Sequence, residues 1–260
     1  MKKVFTGLTL MFFSISLFSQ EASTKGNLKN LRFGGTILPA LSWYKPDNLK
    51  KFESNGAVAK FGVLINGEYS FSGNFALGFG IGLGSSGGKM TFTDTALYFF
   101  SDDEIISTKD TNGLNGKYDT YVLNNRIYNA SYFLIPISIK MRTNEIGYMR
   151  YFFQPSFNIN IRKKIRTDDD LVRYNTKINV EQTDLDITKD MGLVRFSTTL
   201  SAGGEYYLSG STAFVFAIGF DYGLSNVVQK NSEYLIRNDG KAVEQQFIQH
   251  GVILTLGVLF

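Results

Sequence analysis

"FALGFGIGLG", residues 75–84, sets Phe75, Leu77, Phe79, Ile81 and Leu83 on one side of a strand and Ala76, Gly78, Gly80, Gly82 and Gly84 on the other. Five bulky apolar groups therefore face one way, and almost no side chain faces the other. Which of these two faces is the interior decides the fold.

Period-2 alternation recurs along the chain at 31–44, 57–71, 121–142, 146–163, 192–208 and 212–225, and again in the closing "HGVILTLGVLF", 250–260. With 74–92 this makes eight candidate strands, each at least the ~9–11 residues that a tilted membrane strand needs. Tight turns are expected at Ser72 and Gly73, from Arg142 to Glu145, and at Ser209, Gly210 and Ser211, with long polar connections at 45–56, 93–120, 164–191 and 226–246. Short turns at one end, long loops at the other and both termini on the short-turn side predict an eight-stranded antiparallel up-and-down barrel. Residues 21–260 form one such domain, with no tandem repeat.

A soluble, lipocalin-like barrel and a membrane barrel share this alternation, and volume separates them. Eight strands enclose only enough space for their inward side chains. About five large residues per strand would overfill it, whereas the opposite set of Gly, Ala, Ser, Thr and Asn with a few charges fits. The bulky face then looks outward, which is tolerable only in lipid, so the fold class is an all-β transmembrane β-barrel. Outward aromatics form two girdles: Tyr69, Phe71, Phe75, Tyr206, Phe214 and Phe260 at the short turns, and Trp43, Phe61 and Tyr222 toward the loops. The last strand pairs with the first and leaves no edge. Pro39, Pro136 and Pro155 each remove a ladder donor, so bulges are expected there.

Lys2 and Lys3 before an apolar run ending near Phe18 read as an export signal over residues 1–20. Removing it lowers the formal charge from +4 by its two lysines, too balanced for a nucleic-acid surface. The absence of cysteine excludes disulfides, thiolate metal sites and a lipidated cysteine after the signal. The expected location is the bacterial outer membrane, with the termini in the periplasm. An alternating apolar end with Leu256, Val258 and a terminal Phe260 resembles the signal read by the outer-membrane assembly machinery.

"YFLIPISIK" at 132–140, "YGLSN" at 222–226 and "FSQ" at 18–20 resemble the PorT-like outer-membrane barrels of Bacteroidota, over nearly the whole mature chain. The resemblance implies an eight-stranded barrel without catalytic residues. Some members of that family assist secretion through the type IX pathway.

Arg32, Glu68, Lys140, Arg150 and Glu205 all fall on the inward face in the lower half of the barrel. Buried charges must be paired or hydrated, so they form either an ion-pair plug or a hydrated polar filling. Lys60, Arg126, Arg162 and Arg195 lie higher, against Asp221, so any leak should favour anions. "GFGIGLGSSGGK", 78–89, is not a phosphate loop, because Leu83 and Met90 stand where Gly and Ser or Thr are required. "DTNGLNG" at 110–116 and "DDD" at 168–170 have carboxylates for a cation, but solvated turn chemistry accounts for them. His250, the single histidine, lies on the outward face with no Ser or Asp at a telling spacing, so no enzyme and no cofactor is expected. The leading reading is a small closed barrel acting by interaction with envelope or secretion proteins. A narrow channel or transporter is the competing one.

Overall fold

The computed structural model describes residues 30–101, 104–107 and 119–260. The expected signal segment and the 110–116 stretch lie outside them. In chain order the described strands are β1 (Leu31–Pro46), β2 (Phe52–Ser54), β3 (Val58–Ser70), β4 (Phe75–Phe92), β5 (Leu97–Ser101), β6 (Glu104–Ile105), β7 (Asp119–Arg142), β8 (Met149–Arg173), β9 (Asn179–Asp186), β10 (Val194–Ser209), β11 (Thr212–Gly223), β12 (Asn231–Ile236), β13 (Ala242–Glu244) and β14 (Phe247–Leu259). Eight of them, β1, β3, β4, β7, β8, β10, β11 and β14, pair antiparallel in that order, and β14 returns to β1. The closing seam runs from Gly34 opposite Leu259 to Pro46 opposite Phe247. Phe260 extends it, its N–H donating to Phe33 O (2.8 Å) and its carbonyl accepting from Phe33 N–H (3.3 Å).

The bulky face looks outward. Phe79, Phe153 and Phe216 are 45%, 44% and 44% exposed and Ile81 65%, values that only a hydrocarbon surround accounts for on so many neighbouring residues. The inner face is tight where the glycines stand: a Cβ on Gly78 would lie 2.4 Å from Ser138 Oγ, and one on Gly84 would lie 2.7 Å from Leu134 Cδ1. The prolines produce no bulge. Pro39 stays opposite Phe61, Pro136 opposite Asn158 and Pro155 opposite Leu200, with register unbroken. A strand residue directs its N–H to one neighbour only, so each proline forfeits one bond without displacing the other ladder. The register breaks lie elsewhere, at Leu123/Asn125 and Ser131/Tyr132 between β7 and β8, Thr167/Asp169 between β8 and β9, Tyr207/Ser209 between β10 and β11, and Asn231/Ile236 between β12 and β13.

The long connections are more ordered than their polarity suggests. β8 continues to Arg173, ten residues past its expected end at 163. Lys163 is an extra residue in the β7–β8 ladder, because Tyr132 faces Arg162 and Ser131 faces Lys164. The extra residue reverses the phase of β8, and Ile165, Thr167, Asp169 and Leu171 become buried while Lys164 and Asp170 point outward. Above the lipid belt the pattern is thus that of a water-soluble sheet, apolar inside and polar outside. There the barrel wall widens into an open sheet in the order β13-β12-β5-β7-β8-β9. Leu123 and Ile165 on its inner face pack with Tyr44 of β1, Met90 and Phe92 of β4 and Phe247 of β14 into an apolar cap across the barrel end.

Candidate functional site

The lumen is closed at its short-turn end by charges from four strands. β1 supplies Arg32, β3 Glu68, β7 Lys140 and Arg142, and β10 Glu205. Arg32 Nη2 lies 2.6 Å from Glu68 and 2.9 Å from Glu205, and Lys140 Nζ lies 2.6 Å and 2.9 Å from the same two carboxylates. Arg142 Nε reaches Glu205 at 3.1 Å, and its Nη2 meets Glu68. The Tyr207 hydroxyl donates to Glu205 (2.9 Å) and accepts from Arg32 (3.1 Å). Each carboxylate faces three cations, and no side chain of the five is more than 9% exposed. Such a network is sound only while every member is present, since removing one partner leaves an uncompensated buried charge.

Four of the five expected residues meet here. The fifth, Arg150, does not enter the cluster: it pairs with Glu145 at 3.3 Å, 30% exposed, and lies over the Tyr207 ring. Glu205, opposite it in register, is already saturated by three other cations. Arg142 takes the place instead. Strict alternation from Lys140 points to Arg142, but its position beside the turn assigned it to the connection.

Above the cluster lies a cavity of ≈ 190 Å³ lined by Asn66, Gln154, Asn158, Thr199 and Asp221 among others. Asp221 pairs with Arg195 at 3.2 Å, and Asn158 Nδ2 donates to Thr199 at 2.7 Å. The other upper cations do not turn to Asp221. Lys60 donates to Asn129 at 2.5 Å, and Arg162 donates to the carbonyls of Thr188 and Met191. Arg126 grips Asp169 with two bonds of 2.9 and 2.8 Å beneath the loop-end cap. Tyr98 donates to the same carboxylate at 3.0 Å, and the Phe92, Tyr98 and Tyr128 rings surround the guanidinium. Sequence reasoning missed Asp169 because it stood in an expected loop.

The "DDD" stretch is strand, not turn, and its carboxylates diverge. Asp169 goes inward to Arg126, Asp168 accepts from Asn129 (3.1 Å) and Asp170 from Asn125 (3.2 Å). No group of three or more potential metal ligands occurs among the described residues. His250 sits on the outward side, covered by the Tyr222, Phe220 and Trp43 rings at 4.7, 6.1 and 6.4 Å. A further carboxylate, Asp190 in the helical turn Thr188–Asp190, ties the cap together by accepting from Ser232 (2.5 Å) and from the Glu233 N–H. Burial raises its pKa above the usual carboxylate range, and these two bonds only partly oppose the rise.

The fold and the closed lumen define a small antiparallel barrel that crosses a membrane with its strands. Residues 18–229 match the outer membrane protein beta-barrel domain family; the chain belongs to that family, and its place is the bacterial outer membrane. Similar solved structures include Neisserial surface protein A (10% identity, covering 88% of this chain and 96% of that one, TM-score 0.42). Ail, the attachment invasion locus protein of Yersinia pestis, matches at 10% identity over 88% and 98% of the two chains with a TM-score of 0.35. The outer membrane protease OmpT from Escherichia coli matches at 10% identity over 92% and 99% with a TM-score of 0.39. A search of curated proteins by sequence gave no match.

Proposed function

We propose that this outer-membrane barrel acts by interaction rather than by transport or catalysis, presenting the sheet above its lipid belt to other envelope proteins. The observation that carries the reading is the double closure of the lumen, by the cluster around Glu205 at one end and the packed cap at the other. An eight-stranded ring has little room for a path even without such seals. The PorT-like resemblance adds accessory work in type IX secretion or envelope assembly in Bacteroidota as the specific role. Termini in the periplasm, a cleaved segment 1–20, and recognition of Leu256, Val258 and Phe260 during assembly complete the proposal.

A narrow channel is the second reading, favoured by the polar chamber between the seals. Planar-bilayer recording of the purified chain separates the two. The interaction reading expects no steady conductance steps at modest voltage; regular steps, anion-selective given Arg32, Lys140, Arg142 and Arg195 along the lumen, would replace it with the channel. For the secretion role, deletion of the gene should leave secreted proteins in the periplasm, and unchanged export would remove that role while leaving the barrel reading intact.

A further inference from the structure

The barrel wall has a seam at its loop end. β3 and β4 pair only as far as Gly62 opposite Gly84, whereas β3 stays with β1 up to Val58 opposite Ser42. Beyond Gly84, β4 swings across the inside: the Ser42 hydroxyl donates to Gly87 O (2.8 Å) and accepts from its N–H (3.0 Å). A Cβ on Gly88 would lie 2.7 Å from Tyr44 N, so only glycine allows this approach. On the outer surface the gap left behind is an open recess of ≈ 290 Å³ between β3 and β8, lined by Lys60, Ser85, Ser131 and Lys164 among others.

The height and chemistry of the recess fit one class of ligand. Directly below it Phe61, Leu83 and Phe133 are 51%, 45% and 46% exposed, which marks the end of the hydrocarbon belt. Ser131 stands two residues beyond Phe133, about 7 Å along the strand and about 5 Å along the membrane normal at a tilt of ~40°. That is the layer of lipid headgroups, roughly 5–7 Å deep in each leaflet. Three cations line the recess, Lys60, Lys164 and Arg166, against Asp168 and Asp184. Both carboxylates are engaged: Asp168 accepts from Asn129 (3.1 Å) and from Asp184 N–H (3.0 Å), and Asp184 lies 3.6 Å from Arg166. Lys60 and Lys164 make no salt bridge among the described residues; Lys60 Nζ donates to the Asn129 side chain at the rim (2.5 Å), the Ser85 hydroxyl accepts from Phe61 N–H (3.1 Å) and donates to Phe61 O (3.0 Å), and Ser131 stands beside the lysines.

We propose that this recess binds the phosphate of a lipid headgroup in the loop-end leaflet, with the acyl chains running down over Phe61, Leu83 and Phe133. The inference is independent of the interaction reading above. The test is native mass spectrometry of the full chain in detergent, titrated with lipid A, with enzymatically dephosphorylated lipid A and with inorganic phosphate. Each lysine near a membrane surface contributes about fivefold to anionic lipid binding, so Lys60→Gln with Lys164→Gln should weaken lipid A binding by roughly 25-fold. Lys230→Gln, an exposed loop lysine, should leave it unchanged. If the double variant fails to fold, Lys164→Gln alone, at an exposed side chain, carries the test with an expected loss of about fivefold. Equal binding of lipid A by the variants and the native chain would overturn the proposal, as would equal binding of the dephosphorylated lipid. Full competition by millimolar inorganic phosphate would assign the recess to free phosphate instead.

Discussion

Glu205 touches Arg32, Lys140, Arg142 and the Tyr207 hydroxyl at once, so it is the residue whose loss the lower seal tolerates least. Glu205→Ala leaves three buried cations with the single carboxylate of Glu68. The expected cost is about 3–5 kcal/mol, read from urea unfolding of the barrel in lipid vesicles; a change below ~1 kcal/mol would mean that water fills the cluster and carries the charges. In the cap, Asp190 has its neutral form favoured by burial. Between the ordinary carboxylate value and the raised one the folded cap holds more protons than the open one, so its stability falls as pH rises through that window. Amide exchange at residues 232–235, corrected for the intrinsic chemical rate, should speed up from pH 4 upward, and Asp190→Asn should abolish the trend. Residues such as Arg32, Glu68, Lys140 and Glu205 were legible in the sequence because they are charges at inward positions of clear strands. Asp169 and Asp190 were not, since their partners Arg126 and Ser232 come from distant elements and nothing local marks either as buried.

At the level of elements, the eight ring strands were legible for a simple reason. Outward Phe, Ile and Leu against inward Gly and Ser give a period-2 contrast that turns cannot imitate. The extensions were read as loops because lipid no longer imposes that contrast: past Lys163 the apolar residues face inward and the outward ones are Lys164, Arg166, Asp168 and Asp170, which in isolation look like solvated connections. The crossing of β4 over β1 was equally hidden, because Gly87 and Gly88 continue a glycine-rich run whose other members only make room for larger neighbours. Gly88→Val should force β4 away from Tyr44 and loosen the cap. Limited proteolysis should then cut within 226–246 while the ring strands stay protected, and an unchanged digestion pattern would show that the crossing bears no part of the cap's stability.

For the whole molecule, one physical arrangement unites the parts: an apolar exterior in hydrocarbon, a small polar interior sealed below by ion pairs, and an inverted, water-facing sheet above. The closing pair of β1 with β14, down to Phe33 and Phe260, removes the free edges of the ring and explains why β14 carries its apolar alternation through to Phe260. The orientation of the wall is open to direct measurement because the chain has a single tryptophan, Trp43. In a Trp43→Phe background, Phe79→Trp, Phe153→Trp and Phe216→Trp are each reconstituted with lipids brominated on their acyl chains, and Leu134→Trp, which lines the cavity, serves as the inward counterpart. Strong quenching at the first three positions and little at Leu134 is the predicted result; quenching confined to Leu134, or absent from all three phenylalanine positions, would contradict the account.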